Sequence, residues 1–277
     1  MSIVGEAMGA LGLLGKGWGW LRDRLDPARA QAKRLIFVFE AYGIARQQIP
    51  RLLPAEFKSP NAIFSSPDKL KDHLSPALLD WAAEHLAINR SWLDGVGVQP
   101  HLIEDHYKAP ADYREWLAKR RELAPDVHRN FQVWKAHGQA IWPDGGGPLC
   151  LVYEETSEGL DASEFSRYWL LSDQWSLHHA PCIENMIAAV AVARSLGILV
   201  LGRDIHMNGL RELESGRALL PAVHERQRGR WHPEDLIEPI AGHDTEWRKA
   251  LWKGAQAYLG QDEAAGPTAA SRKASRT

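Results

Sequence analysis

The stretch PLCLVYEE (residues 148–155) has strand composition, and so do RYWLLSDQW (167–175) and ILVLGRDI (198–205). Between the last two lies APCIENMIAAVAVARSLG (180–197), an apolar run of helix length that Gly197 ends. Strand, strand, helix, strand, with helical patterns before and after, predicts an α+β unit over residues 101–260, built on a mixed sheet of three or more strands.

Working outward, DYREWLAKRRELA (112–124) reads as a charged, exposed helix, and NFQVWKAHGQAIW (130–142) introduces alternation before the turn PDGGG (143–147). Downstream, GLRELESGRALLPAV (209–223), WHPEDLIEP (231–239) and DTEWRKALWKGAQAYLG (244–260) read as a return to helix. The closing residues 261–277 are small and basic, and are expected to be disordered.

At 277 residues, 45% hydrophobic and 25% charged, the chain can support two modest domains, with a boundary expected near residue 100. A net charge of −2 does not mark the whole chain as a polyanion binder. The charge is uneven, however. Residues 1–60 carry nine Lys and Arg against five Asp and Glu, whereas residues 101–260 carry eighteen against twenty-three. Two cysteines, Cys150 and Cys182, are too few for a disulfide framework and predict a reducing, cytoplasmic setting. Residues 1–24 form an apolar leader rich in Gly and Trp. Its uninterrupted apolar run, AMGALGLLG, is far short of the roughly 20 residues that cross a bilayer. Packing or self-association is expected there, ahead of peripheral membrane contact through residues 3–20.

The basic end holds FEAYGIARQQIPRLLP (39–54). Asp26 and Pro27 start a helix that stops at Gly43, and a second helix is expected over Ile44–Leu53 until Pro54 closes it. Further on, LLDWAAEHLAINRSWLDG (78–95) is a capped apolar helix with a W-L-x-G exit. Together, residues 33–95 resemble the Xre/lambda-repressor-like helix-turn-helix family, which implies a helical DNA-binding domain at 25–100. One piece departs from that pattern. The recognition helix that the resemblance implies falls within FKSPNAIFSSPD (57–68), which holds two prolines and a single cation, Lys58. The residues that the reading brings to DNA are Arg46, Gln47, Gln48, Arg51, Lys58 and Asn61, with Arg46, Arg51 and Lys58 facing phosphate.

Catalytic motifs are missing: there is no G-x-S-x-G, P-loop or G-x-G-x-x-G in context. No enzyme activity, cofactor or metal is therefore expected. His178, His179 and Cys182 lie within five residues, but a strand through the two histidines would send them to opposite faces. The acids Glu154, Glu155, Asp173 and Asp204 lack a lysine on their own strands, with Arg203 the one neighbouring cation. An aromatic effector pocket is expected from Trp134, Tyr153, Trp169 and Trp175, with Glu155 or His178 as polar handles. The leading expectation is a homo-oligomeric transcriptional regulator that binds double-stranded DNA, its C-terminal domain sensing a small molecule or mediating oligomerisation. An assembly protein with a degenerate helix-turn-helix core comes second, and a metal-dependent nuclease third.

Overall fold

The computed structural model describes residues 25–141, 145–237 and 245–265. The leader (1–24) and the end of the tail (266–277) lie outside the described residues. The fold is α+β and divides into two units, the first ending at Pro100 and the second starting at His101.

In the first unit, α1 (Pro27–Ala41) starts where Asp26 accepts a hydrogen bond from the Arg29 amide at 3.0 Å, with Pro27 supplying a preset φ. Its buried stripe is Ala32, Leu35, Ile36, Val38 and Phe39. It ends on Gly43 at φ +79°, where the Gly43 amide donates to the Glu40 carbonyl and the Ile44 amide to the Phe39 carbonyl. That paired closure needs a left-handed residue, which glycine adopts without strain. The next helix is shorter than the sequence suggested. Residues 46–48 form turns, and only α2 (Ile49–Leu52) is α-helical. Gln48 Oε1 reaches back to the Ala45 amide at 3.0 Å, and Pro50 has no N–H to extend the ladder. The chain then makes 3-10 turns at Ala55–Phe57 and Asn61–Ser65. Short α3 (Pro67–Leu70), α4 (Pro76–His85) and α5 (Arg90–Asp94) follow, capped by Ser66, Ser75 and Asn89. Polar ties bind these pieces to α1: Arg34 Nε donates to the Leu93 carbonyl at 2.9 Å, and Arg29 pairs with Asp68 at 3.1 Å.

The second unit opens with α6 (Pro110–Leu123), followed by β1 (His128–Ala136), β2 (Leu149–Glu158) and β3 (Glu164–Leu170). Then come α7 (Ala180–Ser195), β4 (Leu199–Ile205), α8 (Met207–Glu214) and α9 (Leu220–His224). β5 (Gln227–Trp231) and α10 (Glu246–Ala265) complete it. The sheet order is β3-β2-β1-β4-β5, with β1 and β4 parallel and every other pair antiparallel. The single parallel pair requires a crossover, which α7 provides. Register puts Phe131, Tyr153 and Trp169 on one face, where Trp116 of α6 meets Tyr153 edge-on at 5.2 Å. The opposite face carries Gln132, Trp134, Glu154, Tyr168 and Arg203, and His224 at the end of α9 stacks on Trp134.

Three local expectations change. The segment 227–231 is an edge strand rather than helix, because Gln227, Gly229 and Trp231 turn inward while Arg228 and Arg230 stay in water. β3 stops at Leu170, and His178 and His179 sit at a turn leading into α7 rather than on a strand. α10 runs on to Ala265, so residues 261–265 are helical where disorder was expected.

His101 is buried, and its Nε2 accepts the Leu220 amide at 2.8 Å, which requires the neutral ring. Burial pushes its pKa down to about 3. The unfolded ring takes up a proton near its ordinary 6.5 while the folded one does not, so this residue costs stability as pH falls from 6.5 towards 3. His101→Gln keeps an acceptor without titrating. In urea unfolding, the wild type should lose about 1.4 kcal/mol per pH unit more than the variant within that window.

Candidate functional site

The six residues that sequence analysis assigned to DNA contact gather around the turn after α1. Arg46 is half-exposed, and Gln47, Arg51, Lys58 and Asn61 are exposed. The segment 46–52 buries Ile49 and Pro50 and leaves Gln47 and Arg51 exposed. Asn61–Ser65 lies alongside it. Between them opens a cleft of about 460 Å³ lined by Glu40, Ala45, Arg46, Gln47, Asn61 and Ser65.

Three of the six act on the protein itself. Gln48 Oε1 accepts the Ala45 amide and closes the turn before α2, and Lys58 Nζ donates to the Pro50 and Arg51 carbonyls at 3.0 and 3.2 Å. Lys58 thereby satisfies orphan acceptors at a helix C-terminus while keeping its charge on this edge. Arg46 is clamped in two-pronged fashion by Glu40, with Nε to Oε1 at 2.6 Å and Nη2 to Oε2 at 3.2 Å. Its Nη1 reaches the Ser65 carbonyl at 3.4 Å. The Glu40 hydrogen bond also holds the Arg46 guanidinium above its ordinary pKa. The segment 57–68, where a recognition helix was sought, has no α-helix before Pro67. Pro60 and Pro67 confine it to a 3-10 turn.

No family model matches the chain, and neither a curated protein nor a solved structure does.

The residues expected to form one aromatic pocket in the second unit fall into three separate groups. Tyr153, Glu155 and Trp169 do meet, but in a packed cluster. Glu155 is 1% exposed, receives Arg120 Nε and Nη2 at 3.0 and 2.6 Å, and receives Arg167 Nη2 at 2.8 Å. Arg120 lies 4.3 Å over the Trp169 ring. Burial, and after it the Glu155 charge, pushes the Tyr153 hydroxyl pKa upward. Trp134 faces the other side of the sheet. Trp175 donates its indole N–H to Asp105 at 3.2 Å and meets Tyr107 edge-on, while His178 is exposed on the turn before α7. Glu155 is thus neutralised by two arginines and is no free handle for an effector.

Sequence analysis missed a polar network on the Trp134 face. Glu154 accepts from Asn130 at 2.8 Å and from Gln132 at 2.5 Å. Gln132 Oε1 in turn accepts from Trp134 at 2.8 Å and Arg203 at 3.2 Å, and Arg203 donates to Gln227 at 2.6 Å. Burial lowers the pKa of His224 beside it, with Arg203 the next cause. Asn130, Gln132 and Gln227 carry no sequence signature; only the strand register reveals their meeting. The acids once considered together are also dispersed. Glu154 and Glu155 face opposite sides of β2, and Asp204 pairs at 2.6 Å with Lys135, a lysine supplied by β1 rather than by the acids' own strands. Among the described residues no group of three His, Cys, Asp or Glu could hold a metal ion.

Removing Glu155 leaves Arg120 and Arg167 facing each other over Trp169. Glu155→Ala should destabilise the chain by about 3 kcal/mol or more in urea unfolding. Asp173→Ala, at an exposed loop position, should stay within about 0.5 kcal/mol of the wild type.

Proposed function

We propose that the chain is a DNA-binding regulator whose reading element is the short segment 46–52 after the Gly43 turn, not the proline-bounded stretch beyond it. One observation carries this reading: Arg46, Gln47 and Asn61 line one open cleft, with Arg51 exposed on the following turn and Lys58 held against the Arg51 carbonyl. Helix-turn-helix proteins reach base edges with exposed side chains at the start of the helix that follows a short turn; here that helix buries its first residues, Ile49 and Pro50, and the exposed side chains come from the turn just ahead of it, Arg46 and Gln47. Gln47 can pair with adenine in two-pronged fashion, while Arg46, Arg51 and Lys58 supply phosphate contacts. The second unit then serves oligomerisation or effector sensing.

The assembly reading draws on a different observation, the neutralisation of Arg46 by Glu40. The two separate in solution. Fluorescence anisotropy of the full chain with a labelled duplex of about 20 bp should show binding at low salt, weakening as salt rises with a log–log slope near −0.9 per phosphate contacted. Arg51→Ala should reduce that slope by about one and the affinity uniformly across sequences. Absence of any retained duplex at about 50 mM salt overturns the DNA reading in favour of assembly.

A further inference from the structure

The Glu40 carboxylate occupies the position on Arg46 that a phosphate oxygen pair would take. Its two oxygens meet Nε and Nη2 at 2.6 and 3.2 Å, the same two-pronged geometry that a guanidinium offers to phosphate. The pairing is built in. Glu40 lies in the last turn of α1, Arg46 follows the Gly43 turn, and the two closing hydrogen bonds of that turn fix the residues between them. Glu40 also lines the cleft beside Gln47 and Asn61, so it stays at the edge when Arg46 moves. Both side chains remain about 40% exposed, and an exposed ion pair of this kind contributes little net stability. The clamp is therefore weak enough to exchange and close enough to compete.

We infer that Glu40 is an intramolecular phosphate competitor that sets the affinity and salt dependence of this edge for DNA. The inference rests on the DNA reading of the same edge. In the unbound protein Arg46 is held by Glu40. On binding, Arg46 passes to a backbone phosphate and leaves Glu40 as an unpaired anion near the duplex, where it draws a cation back. The exchange tempers non-specific, purely electrostatic binding and leaves a larger share of discrimination to Gln47 and Asn61.

Glu40→Gln keeps the shape and an acceptor oxygen but removes the charge. With the full chain and a random-sequence duplex of about 20 bp, Glu40→Gln should bind about three- to tenfold more tightly than wild type, with a salt slope steeper by about one. Arg46→Ala should cost about threefold or less in the wild type and about tenfold in the Glu40→Gln background, since only there is Arg46 unopposed. Unchanged affinity in Glu40→Gln, weaker binding, or an equal cost of Arg46→Ala in both backgrounds overturns the inference while leaving the DNA reading standing. If neither protein retains the duplex at low salt, the reading itself fails and the inference with it. Thermal unfolding of each variant shows whether a loss of binding is a loss of fold.

Discussion

Two neighbouring carboxylates on β2 set the terms for the second unit. Glu154 and Glu155 are both buried, and strand alternation sends them to opposite faces of the sheet, so each needs its own neutralising shell. On one face Arg120 comes from α6 and Arg167 from β3, both laid against Trp169. On the other, Asn130 and Gln132 come from β1, and Gln132 passes the chain of hydrogen bonds to Arg203 of β4 and on to Gln227 of β5. All five strands and one helix are therefore committed to these two acids. A slip of β2 by one residue would turn its apolar and polar side chains to the wrong faces and break the hydrogen bonds that Asn130 and Gln132 make to Glu154, so the register is fixed by polar pairing as well as by apolar packing.

The first unit follows a different rule. Its core is a set of short capped helices, and Gly43 is the position where a left-handed residue lets α1 stop and the chain turn back. Because Pro50, Pro60 and Pro67 interrupt the helical ladder, the backbone between Gly43 and Pro67 is a series of short turns. Side chains within about one or two turns of one another in sequence then share one edge. In this unit local sequence does most of the placing, and the proposed function lies on its product.

That contrast explains what could be read from the sequence. The strands at 149–158 and 199–205 carry dense apolar runs, and the crossover helix between 180 and 195 is apolar throughout, so the α+β class was legible. β5 was not, because Gln-Arg-Gly-Arg-Trp has strand alternation only once the sheet edge shows which side is buried. That Arg46, Gln47 and Asn61 lie near one another was legible because they fall within sixteen positions and the turns between them are short. The supposed aromatic pocket was not, because Trp134 and Tyr153 face opposite sides of the sheet and nothing in their spacing shows it. Glu155 read as a polar handle of that pocket. Its cations stand 35 and 12 residues away, on a helix and on the neighbouring strand, and only the fold brings them within 3 Å.

The account stands on the edge around residues 44–65 being the surface that meets DNA. Amide chemical shifts of the full chain, followed by NMR during titration with a short duplex at low salt, test this most directly. Shifts concentrated at Ile44–Arg51 and Asn61–Ser65, fading as salt is added, are the predicted result. Shifts confined to the second unit, or no shifts at all, would contradict it.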